Sequence, residues 1–314
     1  MTQTPDLGSR ANPDAGTAAP RSHQEASRAN SIPVLSGLSY AEFARNFLYP
    51  SRPVVIQDGL QHWKAVGKWT PRFFKERYPA RKLTIDDREY TMEGFVDLVE
   101  QSGPDRVAPY FRNQRVKDVF PDLLPDLLPV PRYILPNWLR GPLYPSAGRE
   151  AEIYIGGAGG GFPFLHYDAN STHAFLGQVY GEKEAILYSP LDTEYVYPKS
   201  DEPRRRHHSW ITDVEKPDPD KFPLFARAVA WRGLLRPGSL LFIPSRWWHT
   251  ARMLTPSITI SYNVANASNW ANVTDEICYK ARCTFRPAAF PIGVYMAAVG
   301  RCHRLWDRIS GPTP

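Results

Sequence analysis

A chain of 314 residues, 42% hydrophobic and 22% charged, has the composition of a soluble globular protein with room for one large domain or two small ones. Its net charge of +6 permits an anionic partner such as nucleic acid but does not require one. The longest apolar stretch, residues 287–299, is too short and too interrupted by Pro and Gly for a membrane span.

Residues 1–32 are polar, with interspersed Ala, Ser, Pro, Asp and Arg and no apolar run of secretory type. Such a composition cannot bury enough apolar area to fold, so a disordered tail is expected there. A folded domain is expected over 33–268. Ser39 followed by Glu42 is a capping-box pattern that starts a helix. Thr70-Pro71 starts a second helix, with proline at its first position. Residues 52–56 and 82–85 read as strands and 91–99 as a short amphipathic helix. The Pro-rich segment 117–149 carries a near-repeat, Phe120 to Leu128, and reads as a linker packed on the core.

From residue 151 the pattern becomes strand-like. Residues 152–155 lead to a glycine cluster at 156–161, which lacks the Lys-Ser/Thr pair and the following helix of a phosphate loop. Residues 174–179 and 183–188 form a strand pair across Tyr180-Gly181-Glu182. Pro237-Gly238 turns into the apolar strand 239–243, and 257–264 alternates strictly between polar and apolar. Many short strands with Gly and Pro turns predict a mainly β fold, a jelly roll or double-stranded β-helix with flanking N- and C-terminal helices. The 40 aromatic residues (15 Phe, 16 Tyr, 9 Trp) suit its large core. Residues 269–314 are expected to form a helical extension that covers the barrel or makes a homodimer contact. Three cysteines, Cys278, Cys283 and Cys302, are an odd number; with no signal peptide they argue for a reducing compartment and a cytoplasmic protein.

The chemistry is concentrated in His166-Tyr167-Asp168 and a later His249. Residues two apart on a strand share a face, so His166 and Asp168 can point to one place if that segment is a strand. His249 follows Trp247-Trp248 at the rim of a second strand. Two imidazoles and one carboxylate make the facial triad of a non-haem Fe(II) oxygenase. The triplet alone fits equally a surface His, a capping Asp and an unrelated core His. An oxygenase of this class needs an electron source, commonly 2-oxoglutarate, whose distal carboxylate needs an interior cation. Lys183 is the candidate, since alternation puts it on one face with Ala185 and Leu187. Arg204 to His208 reads as a solvated loop, His173 as a loop residue near the triad, and at least one of Trp247 and Trp248 as core.

His166-Tyr167-Asp168, Gly181-Glu182-Lys183, the run Pro237 to Pro244 and Trp247-Trp248-His249, in that order, resemble the JmjC/cupin-like Fe(II)- and 2-oxoglutarate-dependent hydroxylases. The resemblance covers about residues 53–268. It implies that His166, Asp168 and His249 hold Fe(II), that Lys183 pairs with the distal carboxylate of 2-oxoglutarate, and that O2 completes the reaction. It further implies that Asn263 and Ser261 line the co-substrate pocket and that Tyr110 offers it a hydroxyl. Several relatives have Thr or Ser three residues before the first histidine; here that residue is Pro163, and Thr172 is the expected substitute. Two other readings stay open: a metal cupin of another class, such as an isomerase or a 2-oxoglutarate-independent dioxygenase, and a non-catalytic binding module. A protein side chain, an RNA base and a small metabolite all fit as substrate, and no membrane partner is expected.

Overall fold

Alternating side chains in the second half of the chain build two facing sheets in the structure, a computed structural model that describes residues 29–140 and 150–310. The strands are β1 (Ala29–Ser31), β2 (Val34–Leu35), β3 (Val54–Ile56), β4 (Lys82–Ile85), β5 (Arg88–Thr91), β6 (Phe111–Arg115), β7 (Glu152–Gly156), β8 (His173–Tyr180), β9 (Lys183–Tyr188), β10 (Ala230–Leu235), β11 (Leu240–Ile243), β12 (Trp248–Met253) and β13 (Ser257–Val264). One sheet runs β2-β3-β11-β8-β13-β7-β6, the other β1-β10-β9-β12, and β4 pairs with β5 apart from both. The helices are α1 (Tyr40–Phe43), α2 (Ala65–Lys68), α3 (Pro71–Arg77), α4 (Met92–Glu100), α5 (Val116–Val119), α6 (Trp270–Thr284) and α7 (Ala289–Ser310).

Side-chain alternation explains the layers. Val55, Ala174, Leu241 and Ile243 of the large sheet meet Ala185, Leu187 and Leu235 of the small one in a shared interior. Their neighbours Val54, Ile56, Leu240 and Phe242 point the other way, into a core with Phe43, Trp69, Phe74 and Phe95 of the N-terminal half. Strand β11 is apolar throughout because both of its faces are buried. The outer face of the small sheet, with Ile186, Tyr188 and Trp248, packs under Val196, Ile211 and Phe225 of the insert between β9 and β10. Two sheets closed over one interior are a jelly roll, the double-stranded β-helix expected from the sequence.

Helix starts follow their local signals. Ser39 and Glu42 complete a capping box before α1, and the Thr70 hydroxyl accepts from the Phe73 N–H before α3. The Phe120 to Leu128 repeat forms a 3-10 turn, Pro121–Leu127, with Phe120, Leu123 and Leu127 in the core. The boundary expected at residue 32 is corrected. Strand β1 runs parallel to β10, with Ala29 opposite Ala230 and Ser31 opposite Arg232, and Ile32 is buried between the sheets. Main-chain bonds to an open sheet edge can hold a polar segment, and composition carries no sign of them. The rest of the expected tail lies outside the described residues. Among the described residues, no helix is long and apolar enough to cross a membrane.

Candidate active site

The two histidines are brought together by main-chain pairing. The His249 N–H donates to the His166 carbonyl at 2.6 Å, the His166 N–H donates back at 3.1 Å, and the rings lie 4.3 Å apart. His249 is the second residue of β12. His166 does not sit in a regular strand, as expected from its sequence; it forms isolated bridges to His249 and His208. The convergence nonetheless holds. One ligand atom from each of His166, Asp168 and His249 lies within 4.8 Å of the others, and no other such cluster occurs among the described residues. Ligand bonds of about 2.0–2.2 Å reach across this space after a slight closure.

Protonation suits a cation. Nδ1 of His166 faces the Phe164 carbonyl at 3.3 Å and Nδ1 of His249 faces that of Trp247 at 3.0 Å, so a proton on each Nδ1 leaves both Nε2 lone pairs free. Burial pulls the His166 pKa well below its ordinary value, and repulsion from His249 adds to this. Burial pushes the Asp168 carboxyl up, with His249 opposing. A desolvated carboxylate beside two imidazoles gains from a divalent ion, so the donor set fits the metal that the triad implies.

The turn carrying Asp168 is clamped from outside the barrel. The Ser171 N–H donates to the Asp168 carbonyl at 2.7 Å. Glu276 of α6, fully buried, pairs with Arg206 at 2.7 Å and lies 3.5 Å from the Ser171 hydroxyl. Lys280 of the same helix reaches Asn170 at 3.0 Å and the Ala169 carbonyl.

Lys183 opens β9 and points inward, 3% exposed. Its ammonium donates to Thr259 Oγ1 at 2.6 Å and lies 3.4 Å from the Tyr110 hydroxyl. Thr259 donates its own proton to Gln178 Oε1 at 2.9 Å, which leaves its oxygen as acceptor for Lys183. Burial lowers the Lys183 pKa to about 7 and raises that of Tyr110. No carboxylate pairs with Lys183 among the described residues. The Thr172 hydroxyl donates to Asn263 Oδ1 at 3.0 Å. The three ligands, Lys183 and the other expected contacts (Tyr110, Thr172, Ser261 and Asn263) all open on one cavity of about 260 Å³.

Sequence reasoning overlooked Thr259, although it shares the polar face of β13 with Ser261 and Asn263. It also overlooked Glu152 and Tyr154, which alternate with buried Ile153 and Ile155 on β7 and face the same cavity. His173 is not on a loop. It opens β8, accepts from the Ser245 N–H at 2.9 Å and sits 2.8 Å from the Ser268 hydroxyl, a neutral core residue whose pKa burial lowers to about 3. Arg204 and Arg205 are exposed as expected, but His207 is buried and His208 stacks on Phe164 at 4.2 Å. Both Trp247 and Trp248 are core, their indole N–H groups bonded to the Ser51 carbonyl and the Thr193 hydroxyl.

A jelly roll with two histidines and one carboxylate at its mouth and a lysine in its interior defines the cupin-like class of metal site. The cupin-like domain model matches residues 40–273, and the chain belongs to that family. It is 30% identical over 247 residues to lysine-specific demethylase 8 of Xenopus tropicalis, covering 74% of this chain and 52% of the relative. It is 26% identical over 273 residues to tRNA wybutosine-synthesizing protein 5 of Gallus gallus, covering 81% of each. Arginine-specific demethylase JMJ22 of Arabidopsis thaliana is 26% identical over 261 residues, 79% of this chain and 49% of that protein. The chain thus spans about half the length of the demethylases it matches.

Proposed function

We propose that the protein is an Fe(II)- and 2-oxoglutarate-dependent oxygenase that hydroxylates a C–H bond of a protein, RNA or small-molecule substrate. The observation that carries this reading is Lys183, a buried ammonium that shares a cavity with the triad and has hydroxyl partners but, among the described residues, no carboxylate. A dicarboxylate bound to the metal through its 2-oxo acid end needs a cation for its far carboxylate, and a charge-assisted bond to Lys183 provides it.

Iron, when bound, supplies O2 activation and couples 2-oxoglutarate decarboxylation to C–H oxidation. The remaining tasks fall to the chain. His166 and His249 present Nε2 atoms whose orientation is fixed by their Nδ1 contacts, and Asp168 supplies the anionic ligand. Lys183, Tyr110 and Thr259 hold the distal carboxylate. Thr172, Asn263 and Ser261 line the space between the two ends. An interior lysine does not suit a cupin that works without 2-oxoglutarate, and a complete ligand triad does not suit a module that only binds.

A cytoplasmic setting is consistent with Cys278, Cys283 and Cys302 as free thiols. A homodimer through the C-terminal helices is supported by α7, which exposes Phe290, Leu305, Trp306 and Ile309 to solvent. Sedimentation is expected to give a dimer that Trp306→Glu dissociates; a monomeric wild type contradicts it. For the activity, Fe(II), 2-oxoglutarate and O2 are expected to yield succinate with the wild-type protein. Asp168→Ala, still folded by circular dichroism, is expected to yield none. Full turnover by that variant at saturating iron refutes the reading.

A further inference from the structure

The Asp168 and His249 arms of the site meet at Ser245, a residue outside the triad. His166 and His249 are joined by paired main-chain bonds, whereas Asp168 lies on a turn of its own, closed by the Ser171 N–H on the Asp168 carbonyl at 2.7 Å. Ser245, in the loop that leads into His249, donates its hydroxyl proton to the Ser171 carbonyl at 2.6 Å. The same oxygen accepts from the Asn272 side chain of α6 at 3.1 Å. The Ser245 N–H donates to His173 Nδ1 of β8 at 2.9 Å. One side chain, 4% exposed, thus ties the Asp168 turn, the His249 loop, a barrel strand and α6 together.

Both arms carry backbone strain where they meet. Ser171 has a φ of 52° and Arg246 a φ of 63°, left-handed values that a side chain disfavours. Such conformations persist only where the surroundings hold them, and they gather at functional sites. Ser171 is fully buried under the Ser245 hydroxyl. Arg246 pairs with Asp275 of α6 at 2.5 Å, and its Nε lies 3.4 Å from the Ser171 hydroxyl. His173 is fixed in turn. Its Nε2 donates to the Ser268 hydroxyl at 2.8 Å, and that hydroxyl gives its own proton to Asn266 Oδ1 at 2.7 Å.

Asn170 and Thr172 line the cavity, but Ser171 and Ser245 do not. Their influence on the site passes through the turn. The three ligand atoms are spread over as much as 4.8 Å and must close on an ion. A tie between the two arms limits how far they part.

We propose that Ser245 is a positioning residue that sets the distance between the Asp168 carboxylate and His249, and with it the affinity and geometry of the metal site. This rests on the metal-binding part of the oxygenase reading and adds to it the residue that joins the ligand arms.

The test reads metal binding apart from turnover. Mn(II) is titrated into the metal-free protein without co-substrate, with free Mn(II) read by electron paramagnetic resonance. Co(II)-loaded protein is read by its visible absorption spectrum. Ser245→Ala is expected to weaken Mn(II) binding about tenfold, the low end of the cost of losing a group that orients metal ligands, and to alter the Co(II) spectrum. Ser245→Thr keeps the hydroxyl and is expected to restore both. Asn272→Ala removes one bond to Ser245 and is expected to act in the same direction by less. Val96→Ala, a core truncation in α4, controls for lost stability and is expected to leave both readouts at wild-type values. Wild-type affinity and spectrum in folded Ser245→Ala, an equal loss in folded Ser245→Thr, or an equal loss in Val96→Ala overturns the proposal. Should neither Ser245 variant fold, wild-type values in Asn272→Ala overturn it. Asp168→Ala separates the two readings. If it binds Mn(II) as the wild type does, the metal reading falls and the Ser245 role with it; if it loses affinity while Ser245→Ala keeps it, only the Ser245 role falls.

Discussion

At the scale of the residue, Lys183 makes the sharpest demand. Its folded pKa, about 7, lies below the ordinary 10.5 because burial disfavours the charge. Between those values the unfolded chain binds the extra proton, so Lys183 adds to stability as pH rises from 7 and is a full penalty below it. A dianionic ligand needs the ammonium form. Above pH 7, 2-oxoglutarate affinity is therefore expected to fall by up to about tenfold per pH unit, with about one proton taken up per ligand at pH 8. Calorimetry in buffers of different ionisation enthalpy reads that proton, and zero uptake contradicts the assignment. Lys183→Ala is expected to raise the 2-oxoglutarate KM by about 10- to 150-fold, the value of one charge-assisted bond, with iron affinity little changed. Unchanged co-substrate affinity removes the role. The family resemblance pointed to Asn263 and Ser261, and strand alternation to Lys183. The same rule applied to β13 and β7 points to Thr259 and Glu152, but polar alternation with no known motif gave no reason to single them out.

At the scale of the element, the metal-bearing turn depends on a helix distant in sequence. Glu276 on α6 is buried and paired with Arg206 from the insert, whose guanidinium stacks on Tyr279 at 3.4 Å. Removing one member of a buried pair leaves the other uncompensated, at a cost of about 3–5 kcal/mol. Glu276→Ala is thus expected to lower unfolding stability by that order and to weaken Mn(II) binding, because Ser171, three residues from Asp168, loses its contact with Glu276. A urea titration with a metal titration at low denaturant reads both; unchanged values contradict the clamp. None of this was legible. Arg206 reads as one more charge in a basic run, and its partner lies 70 positions away. Helix starts at Ser39 and Thr70 were legible because a cap is a local event. His166 read as a strand residue, yet isolated bridges to His249 and His208, not a regular strand, hold it in place.

At the scale of the molecule, β1 closes an edge of the small sheet. A chain beginning at residue 33 loses β1 and Ile32 and exposes β10, whereas one beginning at 29 keeps them. The shorter chain is expected to be less stable by about 2–5 kcal/mol, the range for deleting a buried isoleucine side chain, as denaturant midpoints would read. Equal midpoints contradict the pairing. The jelly roll itself was legible because alternation and turns repeat along 150–264, while β1 was not, since an edge strand held by main-chain bonds needs no apolar pattern. The claim on which the rest depends is that one cavity holds a metal at His166, Asp168 and His249 and a dicarboxylate at Lys183. Crystals grown with Mn(II) and 2-oxoglutarate test it most directly. The account predicts an anomalous peak about 2.0–2.2 Å from one atom of each triad residue and a ligand carboxylate within hydrogen-bond distance of the Lys183 ammonium. A peak elsewhere, or a ligand that leaves Lys183 bonded only to Thr259 and Tyr110, would contradict it.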